Sequence, residues 1–528
     1  MAIDDNVPNS NASKNLDAAS KPLYPSSYVF NEIILINKEG TQVDIQKIVT
    51  SLIIVEEIYS PLLTARIRIR DNENFFDDFK LSGQEIVKVS INYLPNADRE
   101  TTEDVEYEFV VKDYPLFDKT TESINVQEYE INLVSSYSYL SRLQQISIGV
   151  AGNPVDNIEK IFKKYLGNPT FEYKSKERYP CIVDDLKAVI TQKTPLQAVE
   201  FLKGTCYDED FAPFFIYTTL EDSSETGSKI IARSWADVLD SVTNPVYYPL
   251  GGGEPYSLRP FEKETPGSEE YFKRLKTKII RFKSNIKLDK LTQAINGGIG
   301  NVTEVVDLNE RTYTEERSLP KGESPRRLLE QASPNFRRVE REDQDPFLGL
   351  VNRGSETFES TAGLFDFQYL DELKINGVRP EILETILNEP RTSREVYYIP
   401  VDPYGEGFRS SSEIKKEALK DTKLYKANME GTSHEIVTYG DLNLKAGAKI
   451  EIEIPKSDIV DSNEEGGIDG IDQSLSGIYV ISTTVHEFTG GVYTNQLKII
   501  REGSPDEILA MNTTGQNFNS DERGFALA

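Results

Sequence analysis

Strict two-residue alternation constrains this chain more than any other feature. In Ala65-Arg-Ile-Arg-Ile-Arg70 every apolar side chain falls on one face and every arginine on the other. That pattern fits a strand buried on one side and does not fit a helix. Further strand signals surround it at residues 29–36, 51–56, 84–91, 105–111 and 127–133, with the turn sequence Asn37-Lys-Glu-Gly40 closing the first,. Residues 23–147 are therefore expected to form an antiparallel β-domain. The polar, aperiodic stretch 1–22 before it reads as a flexible arm.

Helix signals follow. Asn153-Pro154 opens a segment in which Ile158, Ile161, Phe162 and Tyr165 share one face, and Gly167 stops it,. A second helix is expected from Thr194-Pro195 to about Leu202, with Gly204 as its stop, and residues 214–217 and 229–233 fit a hairpin,. Residues 148–250 thus read as a small α/β domain. Gly251-Gly-Gly253 breaks the chain, and strands return at 251–310, 450–454, 478–481 and 495–500. Between them, 311–427 reads as a charged, irregular insertion carrying Arg326-Arg327, Arg337-Arg338 and a short helix at 380–387. A longer helix follows the capping box Ser410-Ser-Ser-Glu413 and runs to Met429,. The tail 504–528 is polar.

One order of elements occurs twice. Gly83-Gln-Glu-Ile86 leads into an alternating strand, then a hairpin, then Glu128–Leu133; Gly447-Ala-Lys-Ile450 leads into the same series ending at Asn495–Ile500,. The expectation is a duplicated unit, with 23–147 and the pair 251–310 plus 428–503 forming superposable β-barrels. The fold class is α+β, mainly β.

Charge and rare residues narrow the function. Lys and Arg number 59 against 87 Asp and Glu, a formal net of -28, so the chain repels free nucleic acid and anionic lipid. No apolar run approaches the ~20 residues of a membrane span. Met1–Asp5 lacks the basic and apolar parts of a signal peptide, and synthesis in a cytoplasm is expected,. Two cysteines, Cys181 and Cys206, cannot build a disulfide scaffold or a four-thiolate zinc site,. The only histidines are His434 and His486, which handicaps acid–base catalysis near neutral pH.

Each tempting constellation has a plainer reading. His486 and Glu487 are adjacent on a strand and point to opposite faces, so they cannot act together unaided. His434 follows the helix expected to end at Met429, where a cation complements the dipole. Residues 461–472 mimic a calcium loop, but Asp472 stands where the bidentate Glu belongs and a strand precedes it, so an acidic hairpin loop is expected,. The acidic residues offer carboxylate pairs for glycoside hydrolysis without singling any out, and neither GxxxxGK[ST] nor GxSxG occurs,. Lys273, Arg274, Lys276, Lys278, Arg281, Lys283, Lys287 and Lys290 cluster in an acidic chain and alternate around Ile279, Phe282 and Leu288. They fit a strand whose charged face meets solvent or a neighbouring subunit. No catalytic, cofactor-binding or metal-binding residue is expected.

Ser51–Pro61, Ala65–Asp71, Asn74 and Leu81–Ile86 together resemble the start of the baseplate central hub proteins of contractile-tailed bacteriophages. Glu417–Lys420, Gly440–Leu444, Gly447–Ile450, Gly477–Ile481 and Val485-His486-Glu487 are similar to the closing part of the same family. The resemblance covers about residues 25–300 and 412–503. It implies two tail-tube-like β-domains in one chain, so that three chains present six around an axis and adapt a hexameric tube to a trimeric spike. It further implies a homotrimer in the virion tail baseplate, assembled in the host cytoplasm without a catalytic site. The implied partners are the central spike protein, the tail-tube protein, the tape-measure protein and the surrounding wedge proteins, with DNA only in transit through an acidic lumen. No cofactor and no membrane insertion are implied. Two readings from other classes compete: an acidic tail-associated polysaccharide hydrolase and a receptor-binding β-protein.

Overall fold

Alternating faces produce a long sheet because each strand hides one side and leaves its edges free to pair. The computed structural model describes residues 26, 28–72, 79, 81–93, 103–119, 126–184, 186–209, 212–220, 229–240, 256–257, 277–284, 301–307, 312–318, 393–399, 432–454, 475 and 477–501. The first seven strands are β1 (Tyr28–Ile36), β2 (Gln42–Asp44), β3 (Val49–Glu57), β4 (Thr64–Asp71), β5 (Ile86–Tyr93), β6 (Glu103–Lys119) and β7 (Gln127–Ser135). They lie side by side in the order β3-β4-β7-β6-β5-β1-β2. In β4, Ala65, Ile67 and Ile69 are buried while Arg66, Arg68 and Arg70 are exposed. The outward arginines meet Glu130 of β7, at 3.3 Å from Arg66 and 3.4 Å from Arg68. Inward residues of six of these strands share one apolar cluster, including Leu35, Ile54, Ile67, Val89, Phe109 and Ile131, so the sheet curls around its own core.

A compact α/β unit follows: α1 (Ser136–Arg142), β8 (Ile146–Ala151), α2 (Pro154–Tyr165), β9 (Thr170–Tyr173), β10 (Lys187–Lys193), α3 (Pro195–Lys203), β11 (Phe214–Thr219), β12 (Lys229–Ser234) and α4 (Trp235–Asp240). The two expected helices and the β11–β12 hairpin form where their caps place them. Asn153 accepts a hydrogen bond from the Val155 N–H, and Thr194 and Gln197 close a reciprocal capping box,. Local pattern carries little sign of α1, α4, the β8–β10 pair or β9, which joins β12 in parallel.

The remaining strands are β13 (Tyr256–Ser257), β14 (Ile279–Ser284), β15 (Asn301–Asp307), β16 (Thr312–Ser318), β17 (Ser393–Ile399), β18 (Thr432–Tyr439), β19 (Lys449–Glu453), β20 (Gly477–Thr489) and β21 (Val492–Arg501). Two sequence expectations change here. β15 was expected inside the second β-domain but pairs with β16 and β17 in a separate sheet. β16 and β17 themselves lie in the stretch read as irregular. Charged residues mask the alternation of β16, and β17 becomes a strand through parallel pairing with a partner distant in sequence. The helices expected at 380–387 and 413–429 lie outside the described residues.

The strand order of the first half recurs in the second. Neighbours run β3-β4-β7-β6-β5 in one and β14-β18-β21-β20-β19 in the other, and the registers match in detail. Pairing of β3 with β4 slips between Val49 and Ser51, and pairing of β14 with β18 slips between Ile279 and Arg281. The β6–β7 ladder slips between Val111 and Asp113, and the β20–β21 ladder between Ile481 and Thr483. A β-bulge is a local one-residue insertion, so two of them at matching places are a far more specific signature than strand count. The bulges align Ser51 with Arg281, Ala65 with His434, Lys112 with Ser482 and Leu133 with Ile499. The turn glycines fall one residue out of step: Val111 N–H donates to Glu85 O and Ile481 N–H to Ala448 O, which aligns Gly83 with Ala446 rather than Gly447. The outermost strands differ, since β1 pairs antiparallel with β5 but β13 pairs parallel with β19.

Candidate functional site

The two halves meet edge to edge. Residues Thr483–Thr489 of β20 pair antiparallel with Glu57–Ser51 of β3, making one continuous sheet of 13 strands among the described residues. A buried carboxylate sits in this seam. Glu56, fully buried, accepts hydrogen bonds from the backbone N–H of Leu220 in the α/β unit and of Ala446 in the second half. One side chain from the first half thereby ties all three units together.

The turn before β5 shows why Glu56 is needed. There Glu85 accepts from the Ser82 and Gly83 N–H groups and from the Tyr114 hydroxyl. The position matching Glu85 in the second half is Ala448, which has no acceptor. Glu56 reaches across the seam to cap Ala446, the counterpart of Gly83. Burial pushes the Glu85 carboxyl up, but the hydrogen bonds from Ser82 and Tyr114 outweigh it and hold the group below its ordinary value,.

Glu56 also faces a histidine. His486 Nε2 lies 3.3 Å from Glu56 Oε1, and His486 Nδ1 lies 2.6 Å from the Tyr493 hydroxyl. Burial, together with the Asp441 and Glu56 carboxylates, pushes the Tyr493 hydroxyl well up, so it keeps its proton. Tyr493 and His486 Nδ1 thus share a buried hydrogen bond whose donor is set by the imidazole tautomer,. The tyrosine ring stacks on Phe488 at 4.4 Å between centroids. Hydroxyl, imidazole and carboxylate stand in a row like a nucleophile, base and orienting group, but His486 Nε2 makes no hydrogen bond to Glu56,. In addition, His486, Glu56 and Tyr493 are each 0% exposed, so no substrate atom reaches the hydroxyl. The network holds the seam together.

Around it lies an apolar junction in which Ile58 of the first half, Phe215, Tyr217 and Trp235 of the α/β unit, and Ala446, Val480 and Ile500 of the second half pack together. Polar contacts pin the same junction: Tyr137 and Thr218 both donate to Pro61 O, at 2.6 and 2.8 Å, and Arg233 Nη1 donates to Gly447 O at 3.3 Å. Gly447 has φ +77°, and a Cβ there would stand 2.5 Å from the Tyr217 hydroxyl, which explains the glycine on both grounds.

The residues singled out by sequence are accounted for as follows. His486 and Glu487 do point apart: His486 enters the core, and Glu487, half-buried, accepts from Gln496 Nε2 at 2.7 Å. His434 requires a correction. It sits within β18, fully buried, with Nε2 3.1 Å from the Tyr479 hydroxyl and its ring against Phe282 and Tyr479, so packing replaces the expected helix-end role. Cys181 and Cys206 are both buried in the α/β core. A hydrogen bond from Cys206 holds the Cys181 thiol down, while burial pushes Cys206 up. Among the described residues no group of three or more His, Cys, Asp or Glu side chains could hold a metal ion. The acidic stretch 461–472 lies outside them. Sequence reasoning missed Glu56, whose one signal is a carboxylate directly following the apolar run Leu52-Ile-Ile-Val55.

No family model matches the sequence, and neither does any curated protein. In fold the chain is similar to a tail protein from Neisseria meningitidis MC58, at 9% identity and a TM-score of 0.43, covering 91% of this chain and 99% of that one. It is likewise similar to the 43 kDa tail protein of prophage MuSo2 from Shewanella oneidensis, at 8% identity and a TM-score of 0.42, covering 90% and 99%. A chain of the Francisella PdpA–VgrG complex gives 10% identity and a TM-score of 0.41 over 93% of this chain and 60% of that one. At these values the likeness is one of general outline and assigns no residue a role.

Among the described residues several edges carry no partner strand once the seam is made, those of β2, β13 and β14 and the far part of β6. Strand β14 ends the sheet, pairing with β18 on one side and with no strand on the other among the described residues. It belongs to the basic cluster, and Lys283 lies 3.0 Å from Glu435 of β18. In β6, the part beyond the Lys112 bulge pairs with β7 on one side, while β5 covers only its earlier part, Glu103 to Val110.

Proposed function

We propose that this chain is a structural component of a contractile tail, the central hub that joins the tail tube to the central spike. Three copies would close a ring of six quasi-equivalent β-units, matching six-fold symmetry on one side and three-fold on the other. The observation that carries this reading is the repeated strand order with its matched bulges, in which one unit is sewn to the next through β20 and β3. A chain holding two such units, already joined by an edge seam and still offering open edges, is built to continue around an axis. The sequence resemblance supplies the identity of the ring, and through it the partners: spike, tube and neighbouring baseplate proteins, at the tail of a virion. A non-catalytic role fits the full burial of both histidines. The net charge of -28 suits a lumen along which DNA slides without sticking,.

Negative-stain images of the purified chain provide the test. Class averages of a six-lobed ring with three-fold symmetry and a central opening are expected. Single, unringed particles at micromolar concentration, with or without the cognate spike protein, would contradict the proposal.

A further inference from the structure

We infer that the β6 edge beyond Lys112 pairs with the open edge of β14 from a second copy, in the register that the internal repeat dictates. The inference rests on the duplication used above and does not depend on the hub role.

Strand β20 carries β21 on one edge and, on the other, first β19 and then β3. Strand β6, its counterpart, carries β7 on one edge and β5 on the other, but the place matching β3 has no strand among the described residues. The counterpart of β3 is β14, whose own outer edge likewise has no strand among the described residues. Within one chain these two edges belong to opposite halves, each facing away from the internal seam. A second copy supplies the missing strand to each, and the contact is head-to-tail, the type that generates rings.

The register follows from the ladders. Leu116 and Phe117 pair with Glu130 and Tyr129 of β7, as Val485 and His486 pair with Gln496 and Asn495 of β21. Phe117 therefore matches His486, and Asp118 matches Glu487. In β14, Ser284 and Lys283 match Ile54 and Ile53 of β3, because each pair lies opposite matched residues of β18 and β4. In the internal seam His486 faces Ile54 and Glu487 faces Ile53. Between copies, Phe117 should then face Ser284, and Asp118 should face Lys283. In that register the sequence places an acidic residue, Asp118, at the position opposite a basic one, Lys283,. Pro115, which has no N–H to offer, falls in the extra bulge between Asp113 and Leu116, where a proline is tolerated,. The N–H of Gly83 is already capped by Glu85 of its own turn, so this second seam needs no counterpart of Glu56.

Directly opposed antiparallel residues have Cα atoms about 4.5–5.5 Å apart, within disulfide range. The test mixes two single variants of the full chain, Asp118→Cys and Lys283→Cys, with oxidised glutathione as the oxidant. The two new thiols give up two electrons and two protons to it, leaving two reduced glutathione molecules. A two-chain product on a denaturing gel is expected from the mixture and from neither variant alone, and the double variant should give a three-chain ladder. Asp118→Cys mixed with Arg281→Cys, two residues out of register, should cross-link at least several-fold less. A ring of the expected mass without the Asp118–Lys283 cross-link, or with equal cross-linking at Arg281, would overturn the pairing while sparing the ring. A monomer would overturn both. Charge reversal gives a second readout: Lys283→Glu should weaken assembly more at low salt than at high salt, and Asp118→Lys in the same chain should restore it. Failure of that rescue, with both variants folded, would also count against the register.

Discussion

Replacing Glu56 by alanine removes the only acceptor described for two buried N–H groups, those of Leu220 and Ala446. Each unsatisfied buried donor costs about 1–3 kcal/mol, so Glu56→Ala should destabilise the junction by about 2–6 kcal/mol. Glu56→Gln keeps one carbonyl oxygen and turns an amide N–H₂ toward the other donor, so about half that loss, roughly 1–3 kcal/mol, is expected. The single tryptophan, Trp235, packs in the junction beside Ile58, Ala446 and Val480. Its fluorescence in a urea titration therefore reports the event of interest. The midpoint should fall in the order wild type, Gln, Ala, and amide exchange at Leu220 and Ala446 should accelerate in the alanine variant ahead of exchange in β4 and β7. A Glu56→Ala loss below about 1 kcal/mol, or equal effects of Ala and Gln, would refute the claim that the carboxylate's two acceptor positions hold the units together.

Two further perturbations probe its surroundings. A Cβ on Gly440 would run into the ring of Tyr493, so Gly440→Ala should cost about 1–3 kcal/mol in a denaturant titration. Gly149→Ala, with open space at its Cβ, should stay within about 0.5 kcal/mol of wild type. Tyr114→Phe removes one of the hydrogen bonds that hold the Glu85 carboxyl down. Because a depressed carboxyl contributes stability that is lost as pH falls through its folded pKa, the variant should lose that contribution at a higher pH than wild type. An NMR titration of the Glu85 side chain should show the upward move directly.

What was legible in the sequence is what local pattern encodes. Residues 65–70 alternate because both faces of β4 have fixed surroundings, and Asn153-Pro154 and Thr194-Pro195 announce helices because caps act within a turn. The repeat was legible as an order of elements, but its alignment was off by one at Gly83 and Gly447. Positive φ made both positions glycine for local reasons, whereas the true equivalence lies in bulges that only pairing reveals. Long-range partners left weaker traces. β17 is a strand through parallel pairing with β15, and His434, read as a helix-end cation, is buried by Phe282 and Tyr479, which come from distant segments. Glu56 carried the least signal for its importance. Its partners come from positions 220, 446 and 486, and nothing in residues 51–57 names them.

On the proposed reading the chain is half open, two units of a ring that only further copies complete. Sedimentation equilibrium of the purified full-length chain at micromolar concentration tests it most directly. A single species of three times the 59.7 kDa chain mass is expected. A species at one chain mass, unchanged when the cognate spike protein is added, would contradict it.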